Sequence, residues 1–158
     1  DDLEQNLSNG QLDCVITNNS HNICHGKQIF KSPENLVLIT PSSCHSQNDI
    51  GKYPVIINSI KSCPYRKALL EWWSLHQSEL PKMVELDTVE AILNTVAMGG
   101  GISLLPQNVL LDKQNINSFY IENLQSTSIH MWVATDKLPS EYFALKDIIQ
   151  KQLKIDNN

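Results

Sequence analysis

The chain has 158 residues, of which 41% are hydrophobic and 18% are charged. This composition supplies apolar surface for one domain or one body of two small lobes, and it excludes global disorder. The formal net charge of -5 repels phosphate backbones and anionic membranes, so we expect no DNA binding by this chain itself. No apolar run reaches the roughly 18 residues of a transmembrane helix, and the sequence therefore predicts a soluble protein.

The first residues do not resemble a native start. Asp1 and Asp2 open the sequence without an initiator Met, a basic segment or the apolar core of a signal peptide. Apolar residues at helical spacing, followed by Asn9 and Gly10, are typical of the end of a helix and predict one at residues 1–8. We therefore expect that the sequence opens in mid-element and was cut from a longer one.

Short apolar runs alternate with helical patterns along the rest of the chain. The runs predict strands at 12–17, 28–30, 35–41, 54–60, 82–86, 102–105, 119–121 and 128–135. Apolar residues at helical spacing predict helices at 63–77, 87–98 and 139–153, with a helical turn at 106–111. Because helices are the usual crossovers between parallel strands, the sequence predicts an α/β fold with a mainly parallel sheet or sheets.

A series of motifs in this order resembles the effector-binding domain of LysR-type transcriptional regulators. They are Gly10-Gln-Leu-Asp-Cys-Val-Ile16, Glu34-Asn-Leu-Val-Leu-Ile-Thr-Pro41, a helix start at Tyr65-Arg66, the pair Trp72-Trp73, and Glu85 to Pro106 with its glycine turn and Gly-Ile-Ser-Leu-Leu-Pro strand. The likeness runs from about Leu7 to about Ile149. It implies an α/β fold of two lobes, similar to type II periplasmic binding proteins.

The resemblance also implies how the chain is divided. Residues 18–125 would form a complete lobe two, and residues 1–17 and 126–158 would form part of lobe one. Members of this family carry a DNA-binding helix-turn-helix and a linker helix before the effector domain. We expect that these elements and the first half of lobe one are absent here, so that lobe one exposes apolar surface.

In this family the effector lies in the cleft between the lobes, held by groups at strand ends and helix starts. The matching positions of this sequence are Thr17, Asn18, Asn58, Ser59, Cys63, Tyr65, Arg66 and Thr88. A helix start beside Arg66 favours a small anionic effector, because the N–H groups and the guanidinium both donate hydrogen bonds. Alternatively, Ser62 or Cys63 merely caps the helix, and Arg66 pairs with Glu71 or with water.

Two of these positions depart from a simple ligand role. Cys63 stands where relatives usually place Ser or Thr three residues before the Arg, and a thiol is a poorer hydrogen-bond partner. Thr88 could reach the cleft, but an N-cap at Asp87 with Glu90 explains the local pattern without a ligand. We therefore expect altered effector binding at Cys63 and a structural role for Thr88.

Metal and thiol chemistry have little support. Two Cys-His pairs could complete a tetrahedral zinc set, Cys24-His25 and Cys44-His45. The closely spaced cysteines of common structural zinc sites are missing. We therefore expect four free thiols, no metal and no cofactor.

Catalysis has little support either. Cys63 and His76 lie near the two ends of one predicted helix, roughly 20 Å apart at 1.5 Å per residue, too far for a nucleophile and its base. We expect His76 and Trp72 to be packing residues, Trp73 to be partly exposed, and the chain not to be an enzyme.

The sequence thus predicts a cytoplasmic, ligand-sensing regulatory domain of a LysR-type transcription factor. The implied partners are a small-molecule effector, further copies in a homodimer or higher homo-oligomer, and DNA only through the missing N-terminal domain, with no membrane contact. Family members dimerise by placing a helix of lobe one against a helix of lobe two, here 87–98 or 64–77. The alternative is a solute-binding protein of the same fold serving a transporter, which requires a secretion signal not seen in this sequence.

Overall fold

The computed structural model describes residues 2–18, 23–76, 79, 81–110, 115–122, 124, 127–137 and 139–155. The helices are α1 (Asp2–Ser8), α2 (Pro64–His76), α3 (Val89–Ala97) and α4 (Phe143–Ile155). The strands are β1 (Cys14–Thr17), β2 (Gly26–Glu34), β3 (Leu36–Pro41), β4 (Val55–Asn58), β5 (Met83–Leu86), β6 (Ser103–Pro106), β7 (Ile116–Phe119) and β8 (Thr127–Ala134). Short 3-10 helices cover Gln47–Lys52, Gln107–Leu110 and Pro139–Tyr142. Within this part of the chain, no helix is both long and apolar enough to cross a membrane.

The chain divides into two compact units. Unit 1 comprises Asp1–Glu34 with Ser126–Asn158, and unit 2 comprises Asn35–Gln125. Unit 1 continues beyond Thr17 to Glu34. The reason is that β2 pairs with β8 from Gly26 to Glu34, which satisfies its backbone groups within unit 1.

Unit 1 is built on an antiparallel sheet of order β1-β8-β2. Helix α1 packs on it through a core made of Leu7, Val15, Ile23, Trp132 and Ala134. The helix ends at Ser8, as expected, and Gly10 follows with a φ of 71°, in the left-handed region that favours glycine. The predicted break between two strands near Pro33 is wrong, since β2 runs through it. Because β2 is an edge strand, a residue without an N–H is tolerated there.

Unit 2 contains a sheet of order β6-β3-β7 and the parallel pair β4-β5. A parallel bridge between Val55 and Ile102 joins the two. In this bridge the Ile56 N–H donates to the Ile102 carbonyl at 2.7 Å, and the Ile102 N–H donates to the Pro54 carbonyl at 2.9 Å. The strands of unit 2 therefore follow one another in the order β5-β4-β6-β3-β7.

The prediction of a mainly parallel sheet is wrong. Helix α2 connects the parallel neighbours β4 and β5, and helix α3 connects β5 to β6, which flank β4 on its two sides. The pairs β1–β8, β2–β8, β3–β6 and β3–β7 are antiparallel. Among the residues that the structure describes, no α-helix lies between β6 and β7 or between β7 and β8, so the alternation of strands and helices did not predict the direction of β7 and β8.

The core of unit 2 has two layers, one on each face of the sheet. Alternate residues of β3 face opposite sides, with Leu38 packing on the α2 side and Val37 and Ile39 on the α3 side. A strand covered on both faces requires an unbroken apolar run, which explains its sequence. Trp73 of α2 is buried rather than partly exposed, and its indole N–H donates to the Glu79 carbonyl at 2.8 Å.

Candidate functional site

A pocket of about 80 Å³ lies in unit 2, where β4 ends and helices α2 and α3 begin. The helix that follows β4 and the helix that follows β5 cover opposite faces of the sheet. Crevices form at such points, outside the carboxyl ends of parallel strands. The lining residues are Ile56, Ile57, Asn58, Cys63, Tyr65, Arg66, Leu69, Val89, Ile92, Ser103, Leu104 and Leu105.

The floor of the pocket is the hydrophobic core itself. The aliphatic side chains of Ile57, Leu69, Ile92 and Leu104 are each at most 2% exposed. Ser103 is also buried, and its hydroxyl donates to the Ile56 carbonyl at 2.7 Å. The pocket thus combines an apolar floor with a few polar groups.

The structure brings half of the predicted site residues to this pocket. Asn58, Cys63, Tyr65 and Arg66 line it. Ser59 and Thr88 belong to unit 2 but not to the lining, while Thr17 and Asn18 belong to unit 1.

Arg66 is held by internal partners. One guanidinium nitrogen donates to the Asn58 carbonyl at 2.8 Å, and another lies 2.8 Å from Oε1 of Glu85. The expected alternative partner, Glu71, instead lies 4.0 Å from Lys67, its neighbour one helical turn away. Glu85 on β5 is therefore the counter-charge of Arg66.

Glu85 binds a second cation as well. Its Oε1 accepts a hydrogen bond from Nζ of Lys61 at 2.5 Å. The hydrogen bonds from Lys61 and Arg66 hold the pKa of the Glu85 carboxyl below its usual range. This carboxylate therefore stays ionised and links the loop after β4 to the first turn of α2.

Further hydrogen bonds join the loop after β4 to the end of β5. The Ser59 hydroxyl donates to Oδ1 of Asp87, and the Ser59 N–H donates to the Leu86 carbonyl at 3.0 Å. Oδ1 of Asn58 accepts the Ile60 N–H at 2.8 Å, which fixes the turn that leaves the strand. Asn58 and Ser59 thus hold the rim of the pocket in place.

Thr88, not Asp87, caps helix α3. Its hydroxyl oxygen accepts the Ala91 N–H at 3.1 Å, and its backbone is extended as an N-cap requires. The expected cap at Asp87 is wrong because the helix begins at Val89. The Asp87 carboxylate instead accepts a hydrogen bond from the Ser59 hydroxyl.

Cys63 immediately precedes the first residue of α2. Its carbonyl accepts the Lys67 N–H at 3.1 Å, so the residue begins the helix through its backbone, and its half-buried thiol lines the pocket. All four cysteines are free. Burial raises the pKa of the Cys14 thiol, and the buried Cys44 thiol donates to the Ser46 carbonyl at 3.5 Å. In the described parts of the chain, no three Cys, His, Asp or Glu side chains are grouped to hold a metal.

The sequence reasoning missed Glu85 and Ser103. Glu85 alone of the β5 residues is charged, and a carboxylate opposite a predicted helix start could have suggested an ion pair. Ser103 interrupts an apolar strand, and a single hydroxyl in such a run indicates a buried hydrogen bond.

Comparisons with known proteins identify the family and the fold of this chain. The family model of the LysR substrate binding domain matches residues 1–150. The HTH-type transcriptional regulator CzcR of Bacillus subtilis is 28% identical over 114 residues, which cover 70% of this chain and 38% of that protein. The chain thus spans well under half the length of this curated relative.

Two solved structures show the same fold. Full-length BenM matches with a TM-score of 0.74 and 18% identity over 98% of this chain and 55% of its own. The effector binding domain of QuiR in complex with shikimate matches with a TM-score of 0.66 and 17% identity over 85% of this chain and 68% of its own. Family model, relative and fold all agree, and the chain belongs to the LysR substrate-binding domain family, with its α/β fold similar to type II periplasmic binding proteins.

Proposed function

We propose that this chain is the ligand-sensing part of a transcription regulator and that its effector binds at the pocket of unit 2. The observation that carries the proposal is a pocket with an apolar floor and a fixed polar rim at the end of β4. Such a combination is typical of small-molecule sites. The QuiR domain, which shares the fold, was solved with the small molecule shikimate.

The proposed contacts follow from the lining of the pocket. Cys63, Tyr65 and Arg66 belong to the first turn of α2 and its approach, and Asn58 closes the end of β4. Thr17, Asn18 and Ser59 do not line this pocket, and they stay predictions that rest on the family resemblance. Thr88 has a structural role as the cap of α3.

The intact regulator would act in the cytoplasm, without catalysis, and bind DNA through a separate helix-turn-helix domain. This follows the relatives, which are HTH-type transcriptional regulators. We propose that the regulator is a homodimer or higher homo-oligomer, with α2 or α3 as the lobe-two helix of its interface. Leu75 on α2 is 77% exposed and Met83 on β5 is 54% exposed, as an apolar interface requires.

An NMR titration with small organic compounds, both neutral and anionic, tests the proposed site. Val89 lines the pocket and is 37% exposed, so Val89→Trp should fill the pocket from the surface without disturbing the core. We expect ligand-induced shifts at the amides of Cys63, Tyr65 and Ser103, and at least about tenfold weaker binding by Val89→Trp.

Met98→Trp is the matched control, since Met98 follows the same helix and is 87% exposed but does not line the pocket. It should bind as the unaltered chain does. Binding that Val89→Trp leaves unchanged would contradict the proposed site.

A further inference from the structure

We propose that the pocket of unit 2 accepts an uncharged ligand with a branched apolar body and one hydrogen-bonding head group, and that Glu85 sets this selectivity. The inference rests on the proposed function, because it concerns the same pocket. It replaces the anionic effector that the helix start beside Arg66 suggests from sequence alone.

The positive charge of Arg66 is already neutralised within the chain. Its guanidinium contacts the Glu85 carboxylate and the Asn58 carbonyl, both at 2.8 Å, and only 10% of the side chain is exposed. An anionic ligand would have to displace Glu85 or lie close to it. Like charges at such separations repel, so the ion pair disfavours a carboxylate.

The cations around the rim of the pocket are matched by carboxylates. Lys61 is also paired with Glu85, and Asp87 adds a second carboxylate beside Ser59. Of the described residues that line the pocket, Arg66 alone carries a formal charge at neutral pH. The lining thus offers an anion no unpaired cation.

The apolar floor of the pocket also disfavours an anion. Ile57, Leu69 and Leu104 are at most 1% exposed and give an anion no compensation for the water it loses. A guanidinium has five N–H donors, so after its two contacts Arg66 can still donate to a neutral carbonyl oxygen. An amide or ketone head with an apolar body therefore matches both parts of the pocket.

The size of the pocket limits the enclosed part of the ligand. Its volume of about 80 Å³ is smaller than the roughly 150 Å³ of a cavity that encloses benzene. A branched alkyl group or the edge of a ring fits, and a larger body would extend beyond the pocket.

The test compares probes of equal shape and different charge. Isovaleramide and isovalerate form one pair, and benzamide and benzoate form the other, each titrated into the isotope-labelled chain and followed by NMR at neutral pH. We expect each amide to bind at least about tenfold more tightly than its carboxylate. Glu85→Gln should remove that preference, because it frees the charge of Arg66 while keeping a hydrogen-bonding side chain.

Glu71→Gln is the control for net charge, since it also removes one carboxylate but lies on the exposed side of α2, 4.0 Å from Lys67. It should keep the preference of the unaltered chain. Carboxylates that bind the unaltered chain as tightly as the amides overturn the neutral ligand class but leave the pocket as a site. A Glu85→Gln chain that still prefers amides tenfold overturns the role of Glu85.

The failure of the proposed function gives a different result. In that case none of the four probes shifts the amides of the pocket at millimolar concentration, and Val89→Trp behaves like the unaltered chain. This outcome also overturns the inference. If Glu85→Gln fails to fold, its backbone N–H resonances will lose their dispersion. The ratio of the affinities of the amide and carboxylate probes for the unaltered chain then tests the ligand class by itself.

Discussion

Replacing Gly101 by alanine should loosen the joint between the two sheets of unit 2. A Cβ there would lie 2.5 Å from the Pro54 carbonyl oxygen and 2.9 Å from Cγ1 of Ile56. The same carbonyl accepts the Ile102 N–H at 2.9 Å, one of the two bonds that place β4 beside β6. The obstructing atom is backbone, so it cannot move aside without weakening that bond.

The expected cost follows from two contributions. Forcing an extra methyl into a packed site costs about 1–3 kcal/mol, and losing one backbone hydrogen bond adds about 0.5–1.5 kcal/mol. Together these contributions are about 1.5–4.5 kcal/mol, and the φ of 158° at Gly101, which is unfavourable for alanine, adds a cost of its own. Gly99 is the control, because its φ of 86° is also unfavourable for alanine but no atom lies within 4 Å of its Cβ position. Gly99→Ala should cost about 1–2 kcal/mol, from the left-handed backbone alone.

Urea unfolding followed by tryptophan fluorescence measures both changes. Trp72 and Trp73 lie in the core of unit 2, while Trp132 lies in unit 1, so all chains should carry Trp132→Phe. Because both positions have a φ unfavourable for alanine, we expect Gly101→Ala to lower the free energy of unfolding by about 1.5–4.5 kcal/mol more than Gly99→Ala does. Equal losses would refute the reasoning, because they would mean that close approach to Pro54 contributes nothing.

Further predictions concern other parts of the chain. Thr88→Ala removes the cap of α3 and should lower the free energy of unfolding by about 1 kcal/mol, whereas Thr88→Ser should restore most of it in the same urea experiment. Burial lowers the pKa of His130 below its ordinary value of 6.5, so the unfolded chain binds a proton there at higher pH than the folded chain does. The free energy of unfolding should therefore fall as the pH drops below 6.5, and His130→Gln should flatten that slope in a pH series. Ellman's reagent should find all four thiols in urea, but in the folded chain the exposed Cys24 should react first and the buried Cys44 last; equal rates would contradict the burial of Cys44.

Much of the fold of unit 2 could be predicted from local patterns. The apolar series Ile92, Leu93 and Val96 indicated α3, and these side chains are buried in the core. The continuous apolar run at 35–41 indicated a strand, and every residue of β3 is buried. The resemblance to the family covered nearly the whole chain, and the match to its domain model confirmed it.

The charge at the site could not be predicted in this way. Arg66 meets Glu85 only because β4 and β5 pair in the register that sets Ile57 beside Glu85. Such a register depends on packing across the sheet, and the residues involved lie far apart in sequence. Local patterns instead suggested Glu71 as the partner of Arg66, but Glu71 lies 4.0 Å from Lys67.

The most direct test of the account is where a bound probe lies. In a chain with labelled isoleucine, leucine and valine methyl groups, isovaleramide should give intermolecular nuclear Overhauser effects to Ile57, Leu69 and Ile92, which line the pocket of unit 2. These contacts should disappear in Val89→Trp. Contacts confined to exposed apolar side chains such as Leu75 would contradict the account, because they would show that the probe binds the surface and not the pocket.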